Sequence, residues 1–152
     1  MPSAHNLALV RAATLCLINR ERALRGERPL RQDARLAAAA EAHTKNMIAE
    51  GFFGHYGPGG QTPADRLREA GWIRSGSVGY SIGENIAWGT GRFASPQAIV
   101  AAWMSSPPHR ANILDAEFEA TGIGVQAGVP GSLGEGRPGA TYTEDFGVII
   151  AG

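Results

Sequence analysis

Two dipeptides constrain this chain more tightly than any of its totals. Thr62-Pro63 and Ser95-Pro96 each set a helix-capping oxygen directly before a residue whose φ is already helical. Each pair therefore fixes where a helix begins, and "TPADRLREAGW" and "SPQAIVAAWMSS" are read as short helices, the first ended by Gly71. Upstream, Leu7, Val10, Thr14, Leu17, Ile18 and Leu24 recur at helical spacing until Gly26. After "RPL" a second helix starts at the N-cap Asp33 and carries Leu36, Ala39, Ala40, His43 and Met47 on one stripe. Its alanines at 37–40 favour close packing, and Gly51 ends it. "GYSIGENIAWGTG" reads as an extended segment hemmed by glycines, and "HRANIL" is long enough for one further helical turn. The strands "TGIGVQAG" and "ATYTEDFGVII" close the chain, joined by "VPGSLGEGRPG", which is expected to be a mobile surface loop. Helices on both sides of a small sheet predict a layered α-β-α domain of the α+β class.

The 152 residues suit one domain without repeat or linker, and a chain of this size buries ~70% of its extended surface. Fourteen basic and fourteen acidic side chains cancel, so no overall field recruits nucleic acid or an acidic membrane. Seven of the basic residues, Arg11, Arg20, Arg22, Arg25, Arg28, Arg31 and Arg35, fall in the first 35 positions, interleaved with Glu21, Glu27 and Asp33. They read as a solvated face. Cys16 is the only cysteine, which excludes an intrachain disulfide and a thiolate metal cluster; on a helix its default is a buried, inert thiol. Arg11 and Asn19 interrupt the first apolar stretch well short of the ~20 residues a membrane span needs. With no leader in this sequence, the protein either stays inside the cell or is read here after a leader's removal.

"GYSIG" at 79–83 matches the nucleophile elbow G-x-S-x-G, but "ENIAWGTG" cannot supply the helix that must follow, so Ser81 is read as part of a turn. No H-E-x-x-H, Walker loop or G-x-G-x-x-G before a helix is present. What remains is polar residues in apolar settings. Glu84 lies in the extended segment, where a partly buried carboxylate needs a partner. His109 stands near a helix start, whose partial positive charge favours the neutral ring that binds a metal or accepts a proton. His55 sits in "GFFGHYGPGG", whose glycines turn the chain out of the second helix while Phe52 and Phe53 pack below the ring. His55, Glu84 and His109 thus suggest two nitrogen ligands and a carboxylate. On spacing alone the plainer reading, three unrelated residues each with a local hydrogen bond, takes precedence. His43, on its helical stripe, reads as a satisfied core histidine.

The fragments "LINRERALRGERPL", "GFFGHYGPGGQTPADRLREAGW", "GENIAWG", "AIVAAWMSSPPHRANIL", "TGIGV" and "TYTEDFG" occur in one order. In that order they resemble the signatures of the CAP superfamily, the cysteine-rich secretory, antigen 5 and pathogenesis-related 1 proteins or SCP domain, and in particular its bacterial branch. The resemblance runs from about Leu15 to Val148, within a single domain over 1–152. It implies a three-layer α-β-α sandwich around a mostly antiparallel sheet, with a surface cleft. The family's cleft histidine falls on His55, the glutamate of its G-E-N motif on Glu84, and the bacterial branch's own histidine on His109. The second glutamate and second histidine of eukaryotic members fall on Ser106 and Thr141. Glu144 stands where glutamine is usual, adding a charge beside the site, and Asn85, Tyr142 and Glu144 are expected to line the cleft.

For function, the resemblance implies a secreted or envelope-associated monomer whose cleft binds a divalent metal, zinc foremost, through His55 and His109. Glu84 would orient one imidazole or complete the coordination shell. A small ligand, lipid or peptide would share the cleft; no nucleic acid is expected. The alternatives are a hydrolase of peptides or esters in which Glu84 serves as catalytic base, and a module presenting its loops to a protein or glycan partner.

Overall fold

The structure, a computed structural model, describes residues 1–75 and 79–150. Helix α1 (Leu7–Ala23) is followed by the two-residue strand β1 (Arg31–Gln32) and helix α2 (Ala34–Glu50). The Asp33 side chain accepts the N–H groups of Arg35 and Leu36, and Gly51 closes α2 in the left-handed conformation at φ 70°. Helix α3 (Pro63–Glu69) opens with a full capping box between Thr62 and Asp65, and α4 (Pro96–Met104) with the Ser95 hydroxyl on the Ala98 N–H. Strand β2 (Tyr80–Thr90) lies between these helices. Helix α5 (Pro107–Ile113) begins at the first proline of the pair, earlier than "HRANIL" suggested, because both prolines fit a first turn that needs no N–H. Strands β3 (Ala120–Ala127) and β4 (Gly139–Ile149) complete the chain.

Among the described residues the strands form one sheet in the order β1-β3-β4-β2, antiparallel except where β1 joins β3. One face packs on α1, α4 and α5 through Val10, Ile18, Ile99, Trp103, Ile113, Val125, Tyr142 and Phe146. The other meets α2 and α3 through Leu36, Ala39, Leu67, Trp72 and Ala120. This is the expected α-β-α sandwich. The approach of α2 is close: a Cβ at Gly124 would sit 2.5 Å from the Ala40 carbonyl carbon, so the strand position admits only glycine. Glycine-rich 128–138 lies with Gly131 against Gly51 at the end of α2.

Several expectations change. Cys16 is exposed, because the buried stripe of α1 runs through Val10, Thr14, Ile18 and Arg22 instead. Leu24 lies past the helix end and is exposed. Arg22 leaves the solvated group altogether. At 1% exposure its guanidinium donates to the Arg28 carbonyl, in the connection after α1, and to the carbonyls of Ile113, Asp115 and Phe118 at the end of α5 and in the following loop. Ser81 lies within β2, paired with Val148, and not in a turn. Strand β1, between "RPL" and the cap Asp33, is too short to carry an alternating pattern.

Candidate functional site

The register of β2 on β4 sets the site. Glu84 pairs with Asp145 and Asn85 with Glu144, so adjacent rungs turn carboxyl groups to opposite faces of the sheet. Glu84 and Asp145 face the α2–α3 layer, where the chain from Gly51 to Gln61 loops back over β2. Arg66 of α3 holds this loop from beneath. It is buried, and its Nη2 donates to the His55 carbonyl at 2.8 Å and to both carboxylate oxygens of Glu84 at 3.0 and 2.9 Å. His55 Nδ1 lies 2.9 Å from Glu84 Oε1.

The protonation pattern follows from these partners. Burial alone would raise the Glu84 pKa, but hydrogen bonds from His55 and Asp145 and the charge of Arg66 outweigh it and bring it to about 2. An ionised carboxylate only accepts, so the hydrogen on the His55–Glu84 bond belongs to Nδ1. In the neutral ring, Nε2 on the far edge then carries the lone pair. The His55 side chain is 46% exposed and that of Glu84 only 3%, so the imidazole is presented outward and its carboxylate partner is not.

His43 of α2 lies under the same carboxylate, 3.9 Å from Glu84 Oε1. Its Nε2 is 2.7 Å from the Gly54 carbonyl, an acceptor, so Nε2 carries the hydrogen; Nδ1 is buried without a partner. Burial keeps this ring neutral by lowering its pKa. It is a core histidine, as expected, and it also anchors the loop that carries His55. Phe52 packs on His43, with ring centroids 5.9 Å apart, whereas Phe53 is exposed and does not pack beneath the site.

His109 arrives from the opposite face of the sheet. It is the third residue of α5, whose Asn112 bonds both Asn85 Oδ1 and the Glu84 carbonyl, and Asn85 in turn donates to the His109 carbonyl. Its Nδ1 is 2.7 Å from the Ser106 hydroxyl. Burial lowers its pKa, with a smaller contribution from His55. Ser106 thus orients this ring.

The other expected cleft residues turn inward. Asn85 is buried and ties α5 to β2. Tyr142 is buried, its hydroxyl on the Ala94 carbonyl, and Thr141 bonds the Gly128 carbonyl. Glu144 is buried on the apolar face with one oxygen on the Thr121 hydroxyl and the other unpartnered; burial raises its pKa to about 8. It therefore carries a proton at neutral pH, and the extra charge expected beside the site is absent. The sequence reading did not single out Arg66 or Asp145. The need of a buried Glu84 for a cation was legible, and Arg66 beside the apolar Leu67 on α3 was the signal that could have met it.

The cysteine-rich secretory protein family profile matches residues 15–132, most of the chain. The chain belongs to the CAP superfamily. This CAP domain is 36% identical over 114 residues to the uncharacterized protein YkwD of Bacillus subtilis, covering 74% of this chain and 41% of that protein. It is 30% identical over 112 residues to the uncharacterized membrane protein YlbC of the same organism, covering 73% of this chain and 30% of the other. The chain thus spans less than half the length of these curated relatives. Among solved structures, an extracellular SCP-domain protein from Bacillus anthracis superposes with a TM-score of 0.73 at 25% identity, over 99% of this chain and 45% of that one. An outer surface protein from Borrelia burgdorferi shares the fold with a TM-score of 0.68 at 18% identity, over 90% of each chain. Strand β4, with Asp145 and Glu144, lies beyond the matched profile.

Proposed function

We propose that this CAP domain binds a divalent cation, zinc foremost, between the outward nitrogens of His55 and His109, with water and a small ligand, lipid or peptide completing the coordination. The observation that carries this reading is the 2.9 Å contact between His55 Nδ1 and the buried Glu84 carboxylate. A carboxylate behind an imidazole is the arrangement that fixes the ring and raises the basicity of its outer nitrogen in metal sites. His109, its Nδ1 held by Ser106, offers the second nitrogen. Among the described residues no group of three or more His, Cys, Asp or Glu is arranged around a common metal position. The donor set therefore fits an open, weak centre of two imidazoles and not a closed structural one. Glu84 supports His55 from behind and is not a ligand itself.

A bound cation would polarise an oxygen of the ligand. The protein's own residues hold the two rings and shield Glu84 from water. Hydrolysis with Glu84 as general base has less support, because both carboxylate oxygens are engaged. The domain is proposed to act outside the cytoplasm. In support, the B. anthracis protein, 25% identical over nearly the whole of this chain, is described as extracellular.

Titration calorimetry with zinc is expected to show one weak site in the wild type, abolished in the His55→Ala, His109→Ala double variant. Undiminished binding in the double variant, or no heat in the wild type, contradicts the reading.

A further inference from the structure

Two of the arginines crowded into the first 35 positions are answered by an acid: Arg11 lies 3.8 Å from Glu41 and Arg25 2.9 Å from Glu21. Arg28 and Arg31 are exposed, and among the described residues neither forms an ion pair. Both line a hollow of about 300 Å³ together with Pro29, Phe118 and Glu119.

The stretch that carries them holds only the two residues of β1, yet its backbone is pinned. Asn19 accepts the Leu30 N–H at 2.8 Å and donates to the Leu30 carbonyl at 3.2 Å. The Arg31 N–H donates to the Glu119 carbonyl at 2.9 Å. Buried Arg22 joins the two walls of the hollow: its Nε donates to the Arg28 carbonyl at 2.8 Å and its Nη2 to the Phe118 carbonyl at 3.4 Å. Glu119 is the carboxylate in the lining, so two positive charges stand there against one negative.

We propose that this hollow is a binding site for a soluble phosphate ester. Arg28 and Arg31 offer two separate guanidinium forks from one fixed stretch of backbone, which lowers the ordering that binding must impose. A tetrahedral anion presents oxygens in more than one plane and can serve both forks, whereas a carboxylate is matched by one. Glu119 accepts a hydroxyl of the ester's alcohol and disfavours a bare anion. The volume suits a small ligand. No lining residue is shared with the His55–His109 centre, so this site stands without it.

The test is a titration of the nitrogen-15-labelled, metal-free full chain with glycerol 3-phosphate at constant ionic strength. Saturable shifts are expected at the Arg28, Leu30, Arg31 and Glu119 amides, and inorganic phosphate should bind more weakly. The Arg28→Gln, Arg31→Gln double variant should weaken the ester at least about tenfold. The Arg92→Gln, Arg137→Gln double variant removes the same charge from exposed positions outside the hollow and should stay within about twofold. Equal weakening in the two double variants, undiminished binding in the first, or inorganic phosphate or acetate binding as tightly as the ester overturns the proposal. Binding confined to phosphatidylglycerol vesicles also overturns it, because the arginines would then serve a membrane surface.

Discussion

Neighbouring rungs of one strand pair bury glutamates on opposite faces of the same sheet, and the two acids end in opposite states. Glu84 meets Arg66, His55 and Asp145 and titrates at about 2. Glu144, one rung away, meets the Thr121 hydroxyl and the apolar core and titrates at about 8. Burial penalises both charges, so the difference lies in the partners: a cation and several donors reverse the penalty, and one hydroxyl does not. At these two rungs the sheet therefore keeps an ionised glutamate on its α2–α3 face and a neutral one on its α1–α4–α5 face.

The largest expected effect comes from removing the cation. Arg66→Met leaves the Glu84 carboxylate buried without its charge partner and frees the His55 carbonyl, and should destabilise the domain by about 3–5 kcal/mol in urea unfolding at pH 7. A loss below about 1 kcal/mol would mean that the two faces do not differ as described.

Next is Glu144→Gln, which replaces the raised acid with a neutral isostere. The folded-state pKa of Glu144 lies above its ordinary 4.5, so the stability from its protonated form is complete below pH 4.5 and is lost as pH rises through about 8. Relative to the wild type, the glutamine variant should gain up to about 1.4 kcal/mol per pH unit across that window and nothing further above it. Glu84 has the opposite sign: its contribution is present above pH 4.5 and is lost as pH falls toward 2, so the variant should leave the acid limb of the stability curve unchanged. Urea unfolding of both proteins from pH 3 to 9 checks this; parallel curves throughout would contradict a neutral Glu144.

The smallest effects sharpen the contrast by falling outside it. Ser81→Ala, on β2 but apart from the cluster, and Cys16→Ser, on the exposed side of α1, should each shift stability by less than about 0.5 kcal/mol and leave zinc titrations unchanged.

The helix starts and stops were legible because they are local chemistry: Asp33, Thr62 and Ser95 cap within three residues, and Gly51 needs only its own φ. The sandwich was legible from the order of those elements and the family resemblance. The burial of Arg22 was hidden because its four acceptors include three about 90 residues away, and β1 because two residues cannot show a period. At the site, His55, Glu84 and His109 could be named from motifs. The face each turns to depends on the register of β2 against β4, which places Asp145 with Glu84 and sends Asn85, Tyr142 and Glu144 inward. In "TYTEDFG" the alternation was written in the letters, Thr141, Thr143 and Asp145 against Tyr142, Glu144 and Phe146, but which set faced the cleft was not.

The hydrogen on the His55 ring decides most directly whether a buried carboxylate presents this imidazole to the cleft. Long-range nitrogen–proton correlation on the metal-free protein at pH 8, above the ordinary imidazole range, should show Nδ1 protonated and Nε2 bare. A ring protonated on Nε2, with Nδ1 bare toward Glu84, would contradict it.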